Sequence, residues 1–544
     1  MNKPWFKNYP KNVSTEIEAG EALSLVSLFH EATNKFSDKI AFNNADAEYS
    51  YADIECLSRD FSAYLQHELN IKKGDRVALM CPNTLPFIVA MWGIIRVGAV
   101  QVNVNPMYTP RELQHQLNDA QVNTIVIIDG AIPTLSDIID NTSVENVIVT
   151  KMSDFTRQDS NKDTTQNIHT KYPSLSFIDA LNKGESCPFE APAINQQDLV
   201  FLQYTGGTTG LSKGATLTHG NIIANNQQYR ELVKNEISEG NEVIITAIPA
   251  YHIFSLMVNT LAYFFLGAKN ILVADPRNMD SFVEKFSQNK PTFFAGVNTM
   301  FNGLLNTQGF KDIDFSNLKL VIGGGAAVQA AISDQWKAVT GTRISEGYGL
   351  SETSPMLTLN LAVGSVDVKG IGIPVPSTDI SIRDENGKEV AIGERGELCA
   401  KGPQVMHGYW KNSEATKQVM TDDGYFKTGD IAVLDENGFF HIVDRLKDMI
   451  IVSGFNVFPN EIEAEVANME GILESACLGV EDANSGEAVK LFAVKKDPNI
   501  TEQDVKDFCR KSLTNYKVPK HVEFIDALPK SSVGKILRRE LRDK

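Results

Sequence analysis

The run Tyr204-Thr205-Gly206-Gly207-Thr208-Thr209-Gly210-Leu211-Ser212-Lys213-Gly214 is the densest stretch of phosphate-binding chemistry in the chain. Glycines let a backbone approach an anion closely and offer it free N–H donors. The threonines and Ser212 add hydroxyls, and Lys213 adds a positive charge. A triphosphate suits this set. The run is not a Walker A loop, which needs Gly-Lys-Ser/Thr in succession, because here Lys213 precedes Gly214.

Other residues carry chemistry singly. Lys535 follows Gly534 in a short loop, where an ammonium could bridge a carboxylate and an α-phosphate. Glu352 offers a hard oxygen ligand to Mg²⁺, which keeps waters and substrate phosphates as its other ligands. His252 stands alone beside apolar residues. Spacing alone leaves each a plainer reading: Lys535 as one more lysine of a basic tail, Glu352 as a helix cap, Tyr348 as core and His252 as a satisfied structural group. Asp430 follows Gly429, where a turn aspartate is the ordinary reading. The set Phe254, Met257, Val258, Val297, Met300 and Phe301 could line an apolar tunnel or be plain core.

The positioning elements read as alternating helices and strands. Ser50 can cap a helix with apolar Ile54, Leu57, Phe61, Tyr64 and Leu65. A strand follows at Arg76–Cys81, an apolar helix at Phe87–Val97 stopped by Gly98, and a strand at Val100–Val104. Thr109-Pro110-Arg111-Glu112 is a capping box with proline at the first helical position. Thr124–Asp129, Leu199–Gln203, Glu242–Ile248, Asn270–Ala274, Thr292–Val297 and Leu318–Ile322 read as buried strands. Such alternation implies mostly parallel sheets flanked by helices. Residues 152–197 are polar and weakly patterned, and read as a surface insertion and linker. After about residue 377 short strands with Asn-Gly turns at 386–387 and 437–438 take over, and helices return from Glu461.

In this order the segments resemble the adenylate-forming superfamily of acyl-CoA synthetases, firefly-type luciferases and peptide-synthetase adenylation domains. The run at 204–214 is similar to its phosphate loop, with Thr205 beside Glu352 at the metal. Gly323-Gly324-Gly325-Ala326 resembles its adenine wall, and Glu346-Gly347-Tyr348-Gly349-Leu350-Ser351-Glu352-Thr353 its Tyr-Gly-x-Thr-Glu motif. The resemblance implies that Tyr348 stacks on adenine, with Gly324 and Gly347 leaving room. It also implies that Asp430, in a loop between strands, accepts from the ribose hydroxyls, that Arg445 contacts the nucleotide, and that Lys447 is the hinge. Ser453-Gly454-Phe455 would line the coenzyme A tunnel, Lys535 would be the catalytic lysine, and His252 would lie near the mouth of the site. Two departures stand out: Ser351 replaces a commoner threonine, and Gly220 replaces a basic residue often found after His219. The likeness extends along the whole chain and is most detailed to bacterial long-chain acyl-CoA synthetases, as in Val102-Asn103-Val104-Asn105-Pro106.

The implied fold is α/β. A large N-terminal domain, 1–445, has mostly parallel sheets and a distorted β-barrel subdomain at about 377–444. A small mobile C-terminal α+β domain, 446–544, follows a hinge at 444–448. The implied activity joins a long-chain fatty acid to coenzyme A with ATP and Mg²⁺ through an acyl-adenylate.

The bulk numbers agree with an enzyme of this size. The chain has 544 residues, 42% hydrophobic and 22% charged, with a net charge of −17. That charge argues against a nucleic-acid partner, although Lys506–Lys544 holds 11 Lys/Arg against 5 Asp/Glu. The six cysteines form no CxxC pair, as expected of reduced thiols in a cytoplasm. Met1–Trp5 opens no apolar run, and no stretch is long and apolar enough to span a bilayer. We therefore expect a cytoplasmic protein, with any contact to the inner membrane peripheral, and a homodimer by resemblance.

Overall fold

The computed structural model describes residues 3–18, 24–157, 174–205, 212–361, 370–482, 485–531 and 534–542. Four sheets organise them. The first has seven strands, six of them parallel to a neighbour, in the spatial order Ser174–Ser176, Asn146–Thr150, Thr124–Ile128, Arg76–Met80, Val100–Asn103, Leu199–Thr205 and Lys213–Thr218. Only the last pair is antiparallel. Its strands are apolar on both faces, as a sheet covered on both sides must be. Val77 and Leu79 enter one core cluster, and Ala78 and Met80 another, by simple alternation.

The helices follow from their caps. Ser50 accepts from the Asp53 N–H and so starts the helix Tyr51–His67, while Thr109 and Glu112 cap each other at Pro110–Ala120. Leu85–Arg96 is buried along its whole length, Arg96 included. That guanidinium donates to the Glu55 carbonyl and carboxylate and to the Ser58 hydroxyl, which is what permits a charge to be buried there.

The reading of 152–197 as a surface insertion is wrong for its second half. Ser174–Ser176 extends the seven-stranded sheet, and the helix Phe177–Glu185 buries Phe177, Ala180 and Leu181. It packs on Tyr51–His67 so closely that a methyl at Gly184 would lie 1.9 Å from the Asp60 carbonyl. The apolar spacing is only one turn of helix long, too brief to register as a period.

The second sheet has nine strands, among them Val243–Thr246, Phe293–Gly296, Leu320–Gly323 and Ile344–Gly349, and is parallel through this middle. The third is a four-stranded antiparallel sheet of Asp379–Arg383, Arg395–Lys401, Phe426–Leu434 and Phe440–Arg445, in the region read as barrel-like. The fourth is built from Ile450–Val452, Phe455–Val457, Ile472–Asp482, Gly486–Lys495 and His521–Phe524, with its own core around Val457, Ile462, Leu491 and Val505. No described helix is long and apolar enough to cross a membrane.

Candidate active site

The site collects at the C-terminal ends of the parallel strands, where loops between strand and helix leave a crevice. Leu199–Thr205 delivers Tyr204 and Thr205, and Thr205 pairs in register with Lys213. Gly206 to Gly210 lie outside the described residues. Tyr204 itself is turned inward. Its ring packs under Gly214 and its hydroxyl donates to the Asp119 carboxylate at 2.5 Å, so it anchors the strand end and does not present its side chain to a ligand. The Ser212 carbonyl is held by His115 at 2.8 Å. The Lys213 ammonium lies over the Tyr409 ring, 4.9 Å from its centroid.

The glycine wall follows Leu320–Gly323. A methyl on Gly324 would come within 3.1 Å of the Phe254 ring and 3.3 Å of the Gly347 carbonyl. Gly325 has φ +78°, and it and Ala326 are exposed. At Gly347 a methyl would meet only ordinary contacts, the nearest at 3.6 Å, so the protein does not fill that space. Gly349 is demanded by packing instead, since a methyl would lie 1.8 Å from the Pro355 carbonyl. Tyr348 extends from the same strand, and its hydroxyl donates to Asp430 Oδ2 at 2.7 Å.

Asp430 was expected in a loop between strands. It lies within the strand Phe426–Leu434, at an irregularity that Gly429 permits with φ +74°. The kink buries the carboxylate between two partners, Tyr348 and the Arg445 Nε at 3.3 Å. A bulge of this kind re-aims one side chain without ending the strand, and a Gly-Asp pair reads the same in a turn or a bulge.

Glu352 is on a single 3-10 turn, Ser351–Thr353, and is buried. Its Oε1 accepts from the Tyr409 hydroxyl at 2.8 Å. Thr353 is fully buried and bonds the Leu350 and Pro355 carbonyls through its hydroxyl. It therefore holds the turn that carries Glu352 and does not face the crevice. Among the described residues no three His, Cys, Asp or Glu side chains form a group that could hold a metal ion by themselves. One buried carboxylate with a hydroxyl on one of its oxygens fits a cation whose other ligands come from substrate and water.

Lys535 reaches this crevice from the small sheet. Its loop is closed by Ser531 N–H to the Lys535 carbonyl at 2.8 Å. Gly534, at φ +75°, lies against the other body, where a methyl would fall 2.4 Å from Thr299 Oγ1. The amine is half-buried. Burial first, then the Arg445 charge, lowers its pKa to about 8, with Asp430 acting the other way. His252 is lowered to about 4, by burial and then by the Lys535 charge. It is thus a neutral imidazole, and its Nδ1 accepts from the Phe254 N–H. Lys535, Arg445, Asp430 and His252 therefore share one electrostatic neighbourhood. Behind His252 the chain winds into a buried π-helical stretch, Leu256–Ala262. Phe254, Met257, Val258, Val297, Met300 and Phe301 all belong to one core cluster.

Ser453, Gly454 and Phe455 are exposed, and Phe455 stacks on Tyr516 with ring centroids 4.9 Å apart.

 The backbone is left-handed at two of them, with φ +51° at Ser453 and +82° at Gly454. Lys447 is exposed in the connection before them, next to Asp448, which pairs with Arg542 at 3.3 Å. The structure thus brings together Lys535, His252, Asp430, Arg445 and Tyr348, and leaves Ser453–Phe455 facing solvent.

Two residues that sequence reasoning passed over belong to the site's frame. Tyr409 joins Glu352 to Lys213. Asp444, fully buried, accepts from the Arg445 N–H at 2.7 Å and from the Asn460 N–H at 2.8 Å. The Gly408-Tyr409-Trp410 sequence, aromatic residues beside a glycine, was the available signal for the first; nothing local marked the second.

Comparison with known proteins gives the same picture at the level of the whole chain. The family model described as AMP-binding enzyme matches residues 29–410, and that described as AMP-binding enzyme C-terminal domain matches 461–535. The chain is 48% identical over 554 residues to a long-chain-fatty-acid–CoA ligase of Salmonella typhimurium, covering 100% of this chain and 98% of the relative. It is 47% identical, with the same coverage, to one of Escherichia coli O6:H1. The crystal structure of ATP-bound MatB from Rhodopseudomonas palustris, 30% identical, superposes with a TM-score of 0.81 over 96% of this chain and 99% of that one. The apo structure of MatB superposes with a TM-score of 0.72. On sequence, fold and the assembly of these residues, the chain belongs to the AMP-binding enzyme family.

Proposed function

We propose that this enzyme is a long-chain fatty acid–CoA ligase working in two half-reactions. In the first, a carboxylate oxygen of the fatty acid attacks the α-phosphorus of ATP and diphosphate leaves, giving the acyl-adenylate. In the second, the coenzyme A thiol loses its proton, its sulfur bonds to the acyl carbon, and AMP leaves. The observation that carries this reading is the placement of Lys535, from the small sheet, beside Asp430, Arg445 and His252 of the large body.

Each residue has work in that scheme. Two anions must meet, and the Lys535 ammonium offsets their repulsion where charge builds up at the α-phosphate. Asp430, held by Tyr348 and Arg445, takes the ribose hydroxyls, while Tyr348 lies against the adenine in the space left at Gly347. Glu352 and Thr205 would hold Mg²⁺, which supplies positive charge to the triphosphate. Thr205 and Lys213 bracket the phosphate loop. His252, uncharged, closes the mouth above the apolar cluster of Phe254, Met257, Val258, Val297, Met300 and Phe301, which takes the acyl chain. Rotation about Lys447 would then withdraw Lys535 and turn Ser453–Phe455 inward for coenzyme A, one closure following another.

The cytoplasmic setting, peripheral contact with the inner membrane and homodimer are parts of the same proposal, checked by vesicle flotation and by sedimentation. The deciding experiment measures diphosphate exchange and thioester formation across medium- and long-chain acids, with and without coenzyme A. Long-chain thioester is the expected product. Adenylate without thioester would instead favour transfer to a carrier protein.

A further inference from the structure

We propose that Tyr409 is a positioning residue for the metal–triphosphate half of the site, orienting the Glu352 carboxylate through its hydroxyl and keeping Lys213 apart from that carboxylate with its ring. The inference rests on the reading of Glu352 as a Mg²⁺ ligand.

The geometry is stitched from both sides. The segment at 408–410 runs beside the strand Lys213–Thr218: Tyr409 bridges Ala215, the Trp410 N–H donates to the Gly214 carbonyl at 2.7 Å, and the Thr216 N–H donates to the Gly408 carbonyl at 3.0 Å. The Tyr409 N–H donates to Thr416 Oγ1 at 2.9 Å. On the other side the Met406 N–H donates to the Glu352 carbonyl at 2.8 Å. The ring therefore has little freedom, and its two ends meet opposite charges. Its hydroxyl donates to Glu352 Oε1 at 2.8 Å, and its face carries the Lys213 ammonium 4.9 Å from the centroid.

Opposite charges in a shielded crevice attract strongly and collapse into an ion pair unless something stands between them. Such a pair would neutralise both groups before ATP arrived. The tyrosine prevents this. One carboxylate oxygen is bound by a neutral donor, which leaves the other for a cation, and the ammonium rests on a π-face that does not neutralise it. Among the described residues Lys213 has no carboxylate partner.

The test is calorimetric binding of ATP to the full-length protein, once with excess Mg²⁺ and once with EDTA. Tyr409→Phe keeps the ring and its packing. It is expected to weaken Mg-ATP binding about ten-fold, the scale on which residues behind a metal ligand act, and to leave metal-free ATP binding within about two-fold. Glu352→Gln should weaken Mg-ATP binding at least as much, and the double variant no more than Glu352→Gln alone, because both act through one carboxylate. Equal loss with and without metal in Tyr409→Phe would mean a general structural role and overturn the inference. So would unchanged Mg-ATP binding in Tyr409→Phe while Glu352→Gln loses it, with the Glu352 reading left standing. Unchanged Mg-ATP binding in Glu352→Gln would overturn that reading and this inference together.

Discussion

Asp444 caps a helix that lies beyond the hinge from it. Its carboxylate accepts from the Asn460 N–H at 2.8 Å, at the start of the helix Pro459–Val466, whose own cap position, Phe458, offers no side-chain acceptor. A residue at the end of the last strand of the large body thus fastens the first helix of the small one in the arrangement that places Lys535 in the crevice.

Removing this fastening should act on one half-reaction. Asp444→Ala costs a cap, about 1 kcal/mol, and loosens the arrangement with Lys535 inside. We predict slower adenylate formation with thioester formation from supplied acyl-AMP preserved. Equal slowing of both steps in single-turnover assays would contradict it. Burial also raises the Asp444 pKa to about 6. A raised carboxyl pKa contributes stability that is fully present below about pH 4 and lost as pH rises through about 6. The stability of Asp444→Asn, measured by denaturant unfolding, should therefore gain on that of the natural chain between pH 4 and 7.

Lys535→Ala should largely abolish adenylate formation and spare thioester formation from acyl-AMP. The pKa of about 8 adds a pH signature. The amine loses its proton as pH rises through that value, so kcat/KM for ATP should fall on the alkaline side. Lys535→Arg, whatever its rate, should lack that fall up to pH 10, because a guanidinium stays charged.

Gly534→Ala probes the fit of the loop that carries this lysine. A left-handed backbone costs alanine about 1 kcal/mol, and the added methyl would press on Thr299. Adenylate formation should drop by ten-fold or more with the melting temperature of the large body unchanged. Pairing it with Thr299→Ala should restore part of the rate; no restoration would mean the contact is not the cause.

Asp430→Ala removes a buried carboxylate with two partners, Tyr348 and Arg445. Hydrogen bonds to a charged group are worth about 1.5–3 kcal/mol, so the KM for ATP should rise about ten- to a hundred-fold. Tyr348→Phe should give a smaller rise in the same direction. A change in KM for the fatty acid with none for ATP would misplace the nucleotide.

His252 should leave no trace near its ordinary pKa. With the imidazole lowered to about 4, rate profiles between pH 5.5 and 7.5 should be flat on its account. An inflection near 6.5 that disappears in His252→Ala would count against the neutral form.

Much of this was legible in the sequence because local chemistry and global fold agreed. Ser50 and the Thr109–Glu112 box placed helix starts to the residue, and continuous apolar runs such as Thr124–Ile128 marked the buried strands. Motif order brought Lys535, Asp430, Arg445, Tyr348 and Glu352 forward by resemblance, and the structure sets the first four beside one another. What the sequence hid were relations between distant segments. The helix Phe177–Glu185 was too short and too polar around its ends to stand out, and only its packing on Tyr51–His67 reveals it. Tyr204 and Thr353 sit inside nucleotide motifs yet spend their hydroxyls on Asp119 and on backbone carbonyls. A motif records which residues travel together, not which of them faces the ligand. Asp430 in a kinked strand, and Tyr409 and Asp444 as partners across the fold, depend on register, which no short window contains.

The lysine loop and the Ser453–Phe455 turn are fixed to the same small sheet, one through Leu541 packed on Ala476 and Phe492, the other through the hairpin of Ile450–Val452 and Phe455–Val457. Two implements mounted on one handle cannot occupy one socket at once. Under the proposed scheme the lysine and the coenzyme A turn would therefore take the site in succession, and the anhydride would be made before the thiol could reach it.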